Sequence, residues 1–171
     1  GCGESSGHIS DTTVSRRLQE LEAVAAFAGN HQSLGRQQCL LGSSLGGYLS
    51  LLYALKHPGT ILSLWATPYD LLEISENIPP SDLKQLKQEF FIDARTYSLA
   101  SILGAVSHIQ LIQGQKDSIV PWRHAEEIFF RANEPKELVI LPEGDHSLTG
   151  AFEREKAVSK SLAWFLQHIS T

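Results

Sequence analysis

The chain has 171 residues, 42% of them hydrophobic, and a formal net charge of −5. That length suits one domain able to bury roughly 70% of its unfolded surface, and the charge leaves no basic footprint for nucleic acid. No apolar run approaches the roughly 18 residues of a membrane span and no secretory n-region and h-region precede the pattern, so a cytoplasmic chain is expected. Cys2 and Cys39 read as free thiols, since the spacing is not that of a disulfide framework.

Taken in order, Asp11, Thr12 and Thr13 supply candidate caps for a first helix. Its stripe is Val14, Leu18, Leu21, Ala25 and Ala28, at spacings of four and three, which packs one helix face on a sheet. A strand follows at 38–42, then a helix at 45–57 that stops at Pro58, then a strand at 60–66. Ile109 to Gly114 reads as a strand ending in glycine. Pro121 suits the first turn of a helix carrying Ala125, Ile128 and Phe129. Leu138 to Pro142 is a further strand, and the last helix shows Val158, Leu162, Phe165, Leu166 and Ile169. Strands joined by helices imply right-handed crossovers and a parallel sheet. Neither an internal repeat nor a low-complexity linker interrupts the pattern.

The chemistry concentrates at three strand ends. Gly42-Ser43-Ser44-Leu45-Gly46-Gly47 lies between strand and helix, where a G-x-S-x-G places a serine on a tight, strained turn. Gly42 and Gly46 flank Ser44 where a side chain is expected to collide across the turn, and Gly47 lets the helix pack closely. Ser43 lacks the flanking glycines. Asp117 and His146 each sit on a loop just past a later strand, and open parallel sheets gather reactive groups at that edge. A serine hydroxyl needs a histidine to take its proton, and the histidine needs a carboxylate to fix its tautomer. Ser44 is therefore the expected nucleophile, His146 the base and then acid, and Asp117 the orienter. The Leu45 amide, at a helix N-terminus, is the expected oxyanion donor. Asp145 and Asp70 are alternative acids.

These residues resemble an α/β-hydrolase, of the broad group of esterases, lysophospholipase-like lipases and serine peptidases. The shared motifs are the G-x-S-x-G-G elbow at Gly42 to Gly47, the G-x-x-D-x-x-V-P loop at Gly114 to Pro121, and the late D-H pair at Asp145-His146. The opening Gly1 to Gly7 also resembles the family's G-x-G-x-S segment after its fourth strand. The likeness spans nearly the whole chain. Two departures are minor: Ser43 and Gln113 replace histidines frequent at those places, and neither position carries the proton chemistry.

The resemblance implies a predominantly parallel α/β sheet flanked by helices. Residues 1–171 would form the C-terminal part of the fold, lacking its N-terminal strands, with a cap-like insertion at about 68–107. It implies a serine hydrolase cleaving a carboxylic ester or related acyl bond, the substrate a small acyl ester, with no metal or cofactor. A peptidase or thioesterase of the same fold, or a silent fragment acting by assembly, are the alternatives. Without the strand beside the elbow, 38–41 would be an open edge that invites a homo-oligomer. Tyr69, Phe90, Phe91 and Tyr97, with Trp65 and Trp122 nearby, are candidates to line the substrate pocket, Tyr69 and Trp122 foremost. His108 reads as structural and His124 as exposed. His8, His31, His57 and His168 lack metal-ligand spacing.

Overall fold

A computed structural model describes residues 4–31, 33, 34 and 39–169. Helix α1 (Val14–Asn30) precedes strand β1 (Cys39–Ser43), helix α2 (Leu45–Lys56) and strand β2 (Ile61–Trp65). Three short helices follow, α3 (Leu71–Ile74), α4 (Pro80–Leu83) and α5 (Gln88–Ala94). Then come β3 (Ile109–Gly114), α6 (Arg123–Arg131), β4 (Lys136–Leu141) and α7 (Ala151–His168). The four strands form one parallel sheet in chain order. Gln38 and Cys2 lie outside the described residues; Cys39 is a free thiol.

Alternating side chains divide the sheet into two faces. Leu62, Leu64, Ile109 and Leu111 join α1, α2 and Ile128 of α6 in the larger core cluster. The opposite face carries Ser63 and Gln110, and α7 packs there. Ser161 of α7 meets Ser63 at 2.7 Å, while Ser63 Oγ donates to Gln110 Oε1 at 2.8 Å. Buried polar atoms require partners, which decides how α7 turns. Its inner face is Ala157, Ser161 and Trp164, and the expected stripe of Val158, Leu162, Leu166 and Ile169 faces outward. Only Phe165 of that set is half-buried.

Other boundaries move slightly. β1 runs on to Ser43, and β4 begins at Lys136, two residues earlier than its apolar run suggests. α6 begins after Pro121, whose carbonyl accepts the His124 amide at 3.0 Å. The α1 stripe points inward as expected, and Thr13 caps that helix by accepting from the Arg16 amide.

The segment between β2 and β3 is tied down at several points. The Ser15 amide donates to Asp93 Oδ2 at 2.8 Å, and Ser15 Oγ lies 2.8 Å from Tyr97 Oη. These bonds fix α5 to the start of α1. β1 pairs with β2 on one side, and among the described residues no strand pairs with its other edge.

Candidate active site

Ser44 follows β1 and caps α2 with φ 52° and ψ −121°. A non-glycine residue in such a conformation carries strain of order 1–3 kcal/mol, so its surroundings must hold it. They do so through the backbone. The Ser44 amide donates to the Trp65 carbonyl at 2.9 Å, and its own carbonyl accepts from the Gly47 and Tyr48 amides. Gly42 is required by the close approach: a Cβ there would stand 2.6 Å from the Gly46 carbonyl oxygen. A Cβ on Gly47 would meet Thr67, as the close packing of α2 demands. Gly46 differs from expectation, because a Cβ on it would meet nothing within 4 Å. Its position faces open space rather than the turn. Ser43, the last residue of β1, is exposed.

Asp117 and His146 are brought together by the loops after β3 and β4. His146 Nδ1 lies 2.9 Å from Asp117 Oδ2. A Cβ on Gly114 would fall 2.3 Å from the Gly144 carbonyl oxygen, so glycine lets the two loops touch. Backbone bonds then lock them, from Lys116 N to Gly144 O and from Gln115 N to Leu141 O, each 2.9 Å. Beyond His146, Leu148 is buried with Ile112, Leu141 and Ala157 and anchors the loop.

The Asp117 carboxylate is saturated with donors. Oδ1 accepts from the Ile119 and Val120 amides at 2.9 and 2.8 Å, and Oδ2 from Gln113 Nε2 at 3.0 Å. Burial pushes this carboxyl up, but the His146 bond and the two amides outweigh it and hold it below the ordinary carboxylate value. The alternative acids are engaged elsewhere. Asp145 accepts from the amide and hydroxyl of Thr149, and Asp70 caps α3 through the Leu72 and Glu73 amides.

A cavity of about 370 Å³ opens against Ser44, Leu45 and Gly46. Leu49 of α2, Leu71 and Ile74 of α3, Leu83 of α4, and Phe90 and Phe91 of α5 form its apolar walls, with Ile78 and Leu86 between. Thr12 and Arg17 also line it. The Leu45 amide opens α2, ahead of the Gly47 and Tyr48 amides that donate to the Ser44 carbonyl, at the end of the helix where N–H groups lack intrahelical acceptors.

The expected pair Tyr69 and Trp122 does not line this cavity. The Tyr69 amide donates to His124 Nδ1 at 3.2 Å and its ring lies under the Arg131 guanidinium, so it lines two other cavities of about 550 and 350 Å³. Trp122 immediately precedes α6 and is 43% exposed. His124, expected at the surface, is 1% exposed. Burial lowers its basicity, with Glu73 opposing. A signal for its burial exists in the α6 pattern, where His124 adjoins Ala125 and lies four residues before Ile128. Among the described residues no group of His, Cys, Asp and Glu could hold a metal ion, and no helix is long and apolar enough to cross a membrane.

No family model matches the chain. The uncharacterised protein YfhR of Escherichia coli is 40% identical over 53 residues, covering 30% of this chain and 19% of its own. The mitochondrial palmitoyl-protein thioesterase ABHD10 of Mus musculus is 27% identical over 173 residues, covering 86% of this chain and 57% of its own. The chain thus spans less than two thirds of these relatives. Mouse alpha/beta hydrolase domain-containing protein 10 superposes with a TM-score of 0.75 at 23% identity, covering 98% of this chain and 75% of that one. An esterase domain from a Rhodothermus marinus protein gives 0.75 at 21% identity, covering 90% and 70%. With four parallel strands, flanking helices and these matches, the chain has the α/β-hydrolase fold.

Proposed function

We propose that this chain carries the chemistry of a serine hydrolase that cleaves an apolar acyl ester or thioester through an acyl-enzyme. The observation that carries the reading is the 2.9 Å contact between His146 Nδ1 and Asp117 Oδ2, at the same sheet edge as the strained Ser44. With Nδ1–H donated to the carboxylate, the lone pair of His146 sits on Nε2, the atom that must take the serine proton. Ser44 Oγ adds to the acyl carbon while its proton passes to Nε2. The oxyanion meets the Leu45 amide. Collapse expels the alcohol or thiol, which takes the proton from His146, and water then repeats the sequence on the acyl-serine.

The cavity walls favour an apolar acyl chain, because ten of the fifteen lining residues are aliphatic or aromatic, with Thr12, Arg17 and Ser75 the polar ones besides Ser44. The relative named a palmitoyl-protein thioesterase agrees with that class. Tyr69 and Trp122, away from this cavity, take no part in holding the acyl chain on this reading.

A fluorophosphonate probe tests the reading. Label is expected on Ser44 alone, identified by peptide mass, and absent in Ser44→Ala and His146→Ala. Turnover of a chromogenic acyl ester should fall on the order of 10³- to 10⁶-fold in each variant, with no further loss in the double variant. Label on Ser43, or full turnover in His146→Ala, would overturn it.

A further inference from the structure

The residue behind the acid is as specifically placed as the acid itself. Gln113 lies on β3, is 0% exposed, and points its amide at the Asp117 loop. Its Nε2 donates to Asp117 Oδ2 at 3.0 Å and to the Val120 carbonyl at 2.9 Å. A third oxygen, the Gly114 carbonyl, stands 3.3 Å away. Its own Oε1 is buried and, among the described residues, without a partner. An orphaned buried acceptor is unfavourable, so this orientation is held at some expense. The reverse orientation is worse, since it would set Oε1 against the Asp117 and Val120 oxygens.

We propose that Gln113 is a positioning residue that acts on His146 through Asp117, by clamping the carboxylate and sharing the oxygen that His146 uses. The inference rests on the serine-hydrolase reading. Oδ2 accepts from both Gln113 Nε2 and His146 Nδ1, while Oδ1 is committed to two backbone amides. The carboxylate therefore cannot rotate without breaking several bonds at once. A neutral donor in competition for Oδ2 also tempers how strongly Asp117 holds the Nδ1 proton. The second Gln113 hydrogen, on the Val120 carbonyl, ties this clamp to the end of the acid loop.

The decisive comparison is Gln113→Leu against Gln113→His, in the whole chain labelled with ¹³C-aspartate and ¹⁵N-histidine. Leu fills similar volume and offers no donor; His restores an N–H. In the Leu variant the Asp117 carboxyl should titrate higher, because a donor to its charged form is gone. The His146 Nδ1–H resonance should move downfield as Oδ2 becomes its alone. kcat should fall on the order of 10- to 100-fold, the scale seen when a group orienting a functional ligand is removed, with KM within about twofold of the parent. His should recover most of each change. The other ionisable groups near the pair are Lys116 with Glu143, Asp145 with Thr149, and His124 on α6. The Asp145 and His124 resonances serve as internal references.

A folded Leu variant whose Asp117 titration and Nδ1–H resonance match the parent overturns the proposal. If Leu does not fold, Gln113→Met replaces it; if neither folds while His does, the amide is structural and the positioning role fails. The titration decides the matter independently of turnover. A chain whose Ser44 takes no fluorophosphonate fails the serine-hydrolase reading, while the two spectra still report on Gln113.

Discussion

The two sides of the candidate site are built by opposite means. On the β3–β4 side the acid is held by directional bonds: the Asp117 oxygens have four donors, two backbone bonds join the loops, and Gly114 and Gly144 let them touch. On the β1 side Ser44 is held by its backbone alone. Its surroundings are an apolar cavity walled by helices of four, four and seven residues. Short helices have little stability of their own, so packing of α5 on α1 and of α3 on α5, with Leu71 and Phe90 in the core cluster, sets that wall. The residues proposed to handle the proton are thus positioned by directional bonds, whereas the proposed nucleophile and its cavity are set by backbone, shape and burial.

Breaking the directional side should give the largest effect. Asp117→Asn is expected to leave the fold intact and cut kcat about 10⁴-fold by presenting the wrong histidine tautomer. Single-turnover acylation would measure it, and an equal loss in Asp145→Asn or Asp70→Asn would relocate the acid.

The shape-defined side should respond more gently and selectively. Leu86→Asp puts a charge into the cavity wall and should lower kcat/KM for a long-chain ester roughly 10- to 200-fold, the range for apolar pocket contacts. An acetate ester, too short to reach Leu86, should change by less than about twofold. Equal losses on both esters would mean that the cavity is not where the chain lies.

A smaller effect concerns the outer edge of β1, where Leu41 is 51% exposed. Unpaired strand edges associate, so the 171-residue chain is expected to self-associate in light scattering. Leu41→Lys should weaken that association about tenfold. A monodisperse monomer at high concentration would remove the edge as an interface.

The smallest expected change lies at His124, which bridges the two sides by accepting the Tyr69 amide. Burial holds its folded pKa below the ordinary 6.5, against Glu73 and with Arg123, Asp70 and Asp117 also nearby. As pH falls through 6.5 the unfolded chain takes up a proton that the folded one does not, so stability is full above 6.5 and declines below it. His124→Asn keeps an acceptor for Tyr69 but cannot titrate. Its melting temperature should fall less between pH 7.5 and 5.5 than the parent's.

The amino-acid sequence by itself determined the elements and the chemistry-bearing ends of three strands. Gly42 and Gly114 mark close approaches, strand and helix periods are local, and Asp117 and His146 each lie a few residues beyond an apolar run. Tertiary structure decided which faces those elements turn. The Val158, Leu162, Leu166 and Ile169 stripe reads as core, yet faces outward because Ser63 and Gln110 need Ser161. His124 is buried because the Tyr69 amide needs an acceptor, and Tyr69 leaves the Ser44 cavity for the same reason. Gln113 reads as a substitution of no consequence until Asp117 folds against it. Period and spacing are properties of neighbours along the chain, whereas the partners of a buried polar group arrive from distant segments.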